Sequence, residues 1–266
     1  MRYLSGATRE DGCIFCNRIE GSDDVASLIL HRAVHSFVIM NLYPYSSGHI
    51  MIVPHQHAAD PAELDTETRH EMADLLPMLT TVLRRTLNCE GFNSGFNFGA
   101  AGGAGIEEHL HQHIVPRWIG DANFMPLIAS TKVIPETIPV GYAKIRAEIE
   151  RELMDPATCP VVALVDDDRS ILLRNDALPV AKIEPDVPVW KNAVSAVSDE
   201  LDEIEISGWA GPNRAVPSAE GGLVLRGRPM GNRPGNVVAV QEALERVSVV
   251  QRAIIERSLK QLAPRA

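Results

Sequence analysis

The chain has 266 residues, room for two domains of ordinary size. Its 45% hydrophobic content is that of a soluble globular protein, with no apolar run of bilayer-spanning length and no signal-peptide core at the start, so a cytoplasmic location is expected. A formal net charge of −10 argues against nucleic-acid backbone or anionic membrane as the main partner.

Residues 1–12 read as an N-terminal arm, and Cys13-Ile14-Phe15-Cys16 follows. A Cys-x-x-Cys is a redox pair, half of a zinc site or an accident; the redox reading needs a βαβ context that the few preceding residues cannot supply. With Cys89 and Cys159 the chain has four cysteines, which do not form a secreted disulfide framework. Residues 28–31 and 35–42 read as two strands. The run Tyr43-Pro44-Tyr45-Ser46-Ser47-Gly48 is a loop, and residues 49–53 make a third strand that ends at Pro54. Asp65 or Thr66 caps a helix to about Leu87, whose apolar stripe includes Met72, Leu75, Leu79, Val82 and Leu83. Pro77 inside that stripe predicts a kink there or an earlier first turn. A strand over 95–99 leads into Gly99-Ala100-Ala101-Gly102-Gly103-Ala104-Gly105.

The next stretch, His109-Leu110-His111-Gln112-His113-Ile114-Val115, alternates histidine with other residues. In a strand this puts three imidazoles on one face. Imidazole serves as nucleophile, acid, base or metal ligand near neutral pH. Glycine-rich turns just ahead can converge backbone N–H groups on an anion. Together with Arg117 they point to chemistry at a phosphate, against the plainer alternatives of a chance cluster or a bare metal site.

Residues 138–154 read as a helix, and 155–160 as a linker, giving one domain over 1–155 and a second over 158–266. In the second, residues 161–165 and 170–173 form a hairpin around Asp166-Asp167-Asp168, an acid triplet read as a solvated turn. Residues 193–204 are a short acidic helix, 204–209 and 222–226 are strands, and 241–262 is one amphipathic helix. Antiparallel strands with a long helix, followed by a smaller α/β unit, give an α+β fold class.

Residues 109–115 resemble the His-x-His-x-His motif of the histidine triad (HIT) nucleotide hydrolases and transferases. The longer run Pro116-Arg117-Trp118-Ile119-Gly120-Asp121-Ala122-Asn123-Phe124, with Ser130-Thr131-Lys132-Val133-Ile134-Pro135-Glu136 beyond it, is similar to the branch that contains bacterial diadenosine tetraphosphate (Ap4A) phosphorylases. This resemblance covers residues 1–140 and implies a HIT-like antiparallel sheet with helices. The second domain faintly resembles the Nudix layout, but the Glu-rich metal box is absent and only Glu200 and Glu203 echo it.

The resemblance implies roles. His111 would attack the α-phosphorus and carry a nucleotidyl-histidine intermediate, and His113 would hydrogen-bond a phosphate oxygen. Asn41 would bind ribose, and Asn97 with Gly103 and Gly105 would stabilise phosphate charge. His49 would lie near the site, although a core strand histidine is an equal reading, and Trp118 would lie beside the substrate or pack. A structural Zn²⁺ would be held by Cys13, Cys16, His57 and His109, with His55 as the decoy beside His57. Ap4A plus inorganic phosphate would give ATP and ADP. Water as acceptor makes a hydrolase of dinucleoside polyphosphates or nucleoside phosphoramidates, and a non-catalytic nucleotide-binding module is the rival from another class. The family also implies a homodimer. One departure stands out: Gly105-Ile106-Glu107-Glu108 carries no Ser or Gln at the place where relatives touch the transferred phosphate.

Overall fold

A computed structural model describes residues 11–121, 136–154, 156–165, 168–211, 221–230 and 236–262. The chain divides into two compact units between Pro135 and Glu136. The division falls before the expected linker, because the helix over 138–154 packs on strands of the second unit.

The first unit opens with α1 (Ile14–Glu20) and α2 (Asp24–Ser27). Then come β1 (Ile29–Arg32), β2 (Ser36–Met40) and β3 (Ile50–Pro54). The long helix α3 (Thr66–Leu87) follows, then β4 (Gly91–Phe96) and β5 (Gln112–Arg117). The five strands form one antiparallel sheet in the order β1-β2-β3-β5-β4. Asp65 caps α3 by accepting from the Thr68 amide. Pro77 lies inside this one continuous 22-residue element. Its stripe, with Leu79, Val82 and Leu83 fully buried, packs against β2, β3 and β5.

Residues directly opposite in an antiparallel pair share a face. Met51 lies opposite His113, and Phe37 opposite Val53. Met51, Phe37 and Val53 belong to a cluster with Cys13, Phe15, Ile29 and Ile39. The start of the chain therefore covers the face that carries His113. The Asp24 carboxylate accepts from Arg32, whose guanidinium also donates to the carbonyls of Ile19 and Gly21, tying the end of α1 to β1.

Two expectations shift here. The strand before the glycine run is Gly91–Phe96, not 95–99. It is an edge strand with Asn93, Ser94 and Gly95 exposed, so no apolar alternation marks it. Regular β5 pairing starts at Gln112, so His109 and His111 precede the strand in a lead-in, where the Leu110 amide donates to the Ala58 carbonyl.

The second unit comprises α4 (Ile138–Met154), β6 (Thr158–Val165), β7 (Ser170–Leu172), β8 (Val180–Lys182) and α5 (Val189–Ser195). It continues with β9 (Leu201–Trp209), β10 (Leu223–Pro229), β11 (Val237–Ala239), α6 (Val240–Arg246) and α7 (Val249–Leu262). Its mixed sheet has the path β11-β7-β6-β10-β9, with β6 and β10 parallel and β8 on β6. The core joins Val162, Leu164, Ile171 and Val224 to Ile254 and Ile255.

The acidic helix expected over 193–204 ends at Ser195, and Glu203 lies in β9. Glu200 is held by Arg174 at 2.7 and 2.8 Å, and Glu203 pairs with Arg228. The two carboxylates thus do not share a helix face, and each is neutralised by an arginine. The helix expected over 241–262 is two helices. Val247 is extended, and the Ser248 hydroxyl accepts from the Gln251 amide, the bond of a fresh N-cap.

Candidate active site and metal centre

Cys13 sits at the N-cap of α1 and Cys16 in its first turn, a spacing that turns both thiols to one side. His57 follows the turn after β3, and His109 lies beside it in the lead-in to β5. Cys13 Sγ is 3.3 Å from His109 Nδ1, Cys16 Sγ 3.3 Å from His57 Nδ1 and 3.7 Å from His109 Nδ1. All four ligand atoms lie within 4.8 Å of one another. Tetrahedral zinc with sulfur and nitrogen ligands requires edges of about 3.3–3.8 Å. The fit extends to the protons: His109 Nε2 donates to the Pro54 carbonyl at 2.9 Å, so Nδ1 presents its lone pair to the thiols. Burial, then the neighbouring Cys13 thiol, pushes the Cys16 thiol up to about 11. A cation at the cluster is what would let such a pair ionise. His55, the decoy, is excluded: its Nε2 donates to the Ala33 carbonyl and its ring stacks on Phe37.

The other two histidines of the motif carry opposite tautomers. His111 Nδ1 donates to the His109 carbonyl at 2.9 Å, which leaves the lone pair on Nε2. For His113 the assignment begins one loop away. The Tyr45 backbone N–H can only donate, and it reaches His49 Nδ1 at 3.1 Å; Asn41 Nδ2 approaches the same nitrogen at 3.3 Å. Neutral His49 therefore carries its proton on Nε2, 2.9 Å from His113 Nδ1. His113 accepts there and keeps its own proton on Nε2, a buried atom with no partner among the described residues. The rings of His111 and His113 meet edge to face, 4.8 Å apart. Burial lowers the pKa of His111, and burial, then the His111 charge, lowers His113 to about 4. Both are neutral at pH 7, one with a lone pair and one with an N–H at the same ring position.

The remaining expected residues are more dispersed. Asn41 is half-buried beside His49, with its Oδ1 accepting from the Tyr43 amide. Asn97 is half-buried just past β4. Gly99 and Gly103 have positive φ, 70° and 74°, with Gly103 left-handed, and Gly105 is exposed. Trp118 is half-buried in the turn after β5, its amide donating to Asp121. Arg117 is paired within the unit: Asp121 holds it in a two-pronged pair and Asn93 takes a further N–H. The part of the extended motif over 122–135 lies outside the described residues.

Two neighbours escaped sequence reasoning. Phe15, inside the Cys-x-x-Cys, packs edge-on against His109 at 5.4 Å and tilts against His111 at 5.2 Å. Tyr45 stacks on His113 at 5.8 Å. The available signal was position: each aromatic stands within four residues of a singled-out cysteine or histidine.

The HIT domain profile matches residues 24–118. An uncharacterized HIT-like protein of Mycoplasma genitalium is 30% identical over 106 residues, which are 40% of this chain and 73% of that protein. The chain belongs to the histidine triad (HIT) family. Within that family it is similar to an AP-4-A phosphorylase of Mycobacterium tuberculosis, 40% identical over 118 residues, 43% of this chain and 59% of the relative, so it spans less than two thirds of that protein. An adenosine 5'-monophosphoramidase of Schizosaccharomyces pombe is 31% identical over 105 residues, 40% of this chain and 74% of that one. Among solved structures, a zinc-bound histidine triad family protein from Mycobacterium smegmatis shares 23% identity at a TM-score of 0.42, covering 53% of this chain and 94% of its own.

Proposed function

We propose that this chain is a nucleotidyltransferase that splits dinucleoside polyphosphates with inorganic phosphate, turning Ap4A and phosphate into ATP and ADP. The observation that carries the reading is the pairing of a lone pair on His111 Nε2 with a proton on His113 Nε2 in adjacent, neutral rings. His111 Nε2 attacks the α-phosphorus; the N–P bond forms as the P–O bond to the distal phosphates breaks, and those leave as ATP. His113 Nε2–H donates to a phosphate oxygen as charge develops. Phosphate then attacks the AMP-histidine, the N–P bond breaks, ADP leaves and His111 is restored. Asn41, His49, Asn97, Gly103, Gly105 and Trp118 are assigned to nucleotide binding or its support. The M. tuberculosis relative, named as an AP-4-A phosphorylase, supports phosphate as acceptor.

Zinc is the metal we assign to Cys13, Cys16, His57 and His109, on the two-sulfur, two-nitrogen donor set and on three sulfur–nitrogen separations of 3.3–3.7 Å. With four protein ligands it would fix the start of the chain to the lead-in of β5 and supply no open position for chemistry. We further infer a homodimer in the cytoplasm; no helix among the described residues is long and apolar enough to cross a membrane. The second unit is assigned as a structural or acceptor-shaping appendage.

A second reading, hydrolysis by the same intermediate, is favoured by the monophosphoramidase relative. Incubating the purified chain with Ap4A, with and without phosphate, separates them. ATP plus ADP only when phosphate is present supports phosphorolysis. AMP plus ATP supports hydrolysis, and binding without turnover would reduce the chain to a nucleotide-binding module.

A further inference from the structure

We propose that Tyr45 is a positioning residue of the histidine site: its backbone N–H and its ring together hold His49 and His113 in the tautomers that leave the His113 proton on Nε2. Neutral imidazole can carry its proton on either nitrogen, and the partner of one nitrogen decides which. The Tyr45 amide is the fixed end of the chain of bonds. It cannot accept, so it forces His49 Nδ1 to accept at 3.1 Å, which puts the His49 proton on the nitrogen 2.9 Å from His113.

The ring of the same residue acts on the next bond. Its centroid lies 4.7 Å from that of His49 at an interplanar angle of 34°, and 5.8 Å from that of His113 at 24°. One aromatic plane thus spans both imidazoles, while 45% of Tyr45 remains exposed. It stands between solvent and a hydrogen bond whose two rings are themselves buried. Water admitted there could donate to or accept from either ring, and the single arrangement would become a mixture.

Among the described residues, the titratable side chains that face His113 are His49 and Tyr45 from the loop before β3, and His111 from its own segment. Opposite it β3 presents Met51 and β4 presents Gly95. The low pKa of His113, about 4, follows from burial first and His111 second, and the Tyr45 ring is one of the groups stacked against it.

The inference rests on the proposed nucleotidyl-histidine reading for its kinetic arm alone. The test is imidazole-nitrogen NMR on the full ¹⁵N-labelled chain through a pH titration. Wild type and Tyr45→Phe should show the Nε2–H tautomer at both His49 and His113, with His113 titrating near 4. Tyr45→Ala should show mixed tautomers at His113 and a titration midpoint raised toward 6.5, about a hundredfold change in proton affinity or more. If the alanine variant does not fold, Tyr45→Leu keeps the apolar bulk without the flat face and should show the same mixture. Wild-type tautomers and midpoint in the folded Ala or Leu variant would overturn the proposal, as would their loss in Tyr45→Phe. In the kinetic arm, kcat should fall in Tyr45→Ala with little change in KM. Absence of turnover in wild type would sink the function and leave the NMR result to judge Tyr45.

Discussion

His111 donates through Nδ1 to the backbone carbonyl of His109, 2.9 Å away. The group assigned as nucleophile is thus aimed by the main chain of a residue whose side chain belongs to the Cys/His cluster. His111→Ala should lose on the order of 10⁴-fold or more in turnover, the scale seen when a covalent nucleophile is removed. The melting temperature should stay close to wild type. Steady-state kinetics beside a thermal melt checks both, and a near-wild-type rate would dismiss His111 as the attacking group.

The cluster predicts metal content as well as stability. One metal per chain should be found in purified protein, the count that one four-ligand site implies. Cys13→Ser should reduce that content and lower the melting midpoint by about 10 °C, at roughly 2–4 °C per kcal/mol for a chain this size. His55→Ala should leave the metal in place, since His55 bonds Ala33 instead. Elemental analysis of the two variants decides it; equal loss in both would mean that the ligand set is misassigned.

Asp24 is almost fully buried and pairs with Arg32. Arg32 cannot leave easily, because it also donates to Ile19 and Gly21. Asp24→Ala strands a charge next to two carbonyls and should cost about 3–5 kcal/mol. Denaturant unfolding measures the loss, and a change below ~1 kcal/mol would show the pair to be dispensable.

Glu71 on α3 accepts from the amides of Val34 and His35 and from the Ser36 hydroxyl, pinning the turn between β1 and β2. Burial opposes its charge, but these donors outweigh burial and lower its pKa below the usual carboxylate value. A carboxylate depressed on folding contributes stability above its unfolded pKa and loses it as pH falls through the folded value. Acid should therefore weaken the protein below about pH 4.5. Glu71→Gln should be less stable at neutral pH and show a shallower acid slope, which unfolding curves from pH 7 down to about 3 would reveal.

In the second unit, Glu200→Gln with Glu203→Gln should leave turnover unchanged and Mg²⁺ binding undetectable. Arg174 and Arg228 hold these carboxylates, in the places where a metal would need them. A selective loss of turnover with fold and metal content preserved would make that unit an enzyme in its own right.

The sequence was most readable where periodicity and caps coincide. Asp65 and the Met72–Leu83 stripe specify α3, and the histidine alternation with Cys13-x-x-Cys16 identifies the residues that converge. It was least readable where partners come from elsewhere. No pattern in the sequence announces Asp121 and Asn93 as the partners of Arg117. The edge strand β4 has no buried face to write into its residues. The tautomer of His113 depends on an amide in another loop, a fact with no trace in side-chain chemistry.

The Cys/His cluster joins residues up to 96 positions apart. During synthesis the two cysteines leave the ribosome first, and the chain must grow by that many residues before His109 exists. At about 5–20 residues per second this delay is roughly 5–20 s. Through that interval Cys13 and Cys16 belong to an incomplete ligand set, with His57 already made and His109 still to come, and the newborn chain depends on its surroundings to keep the thiols reduced.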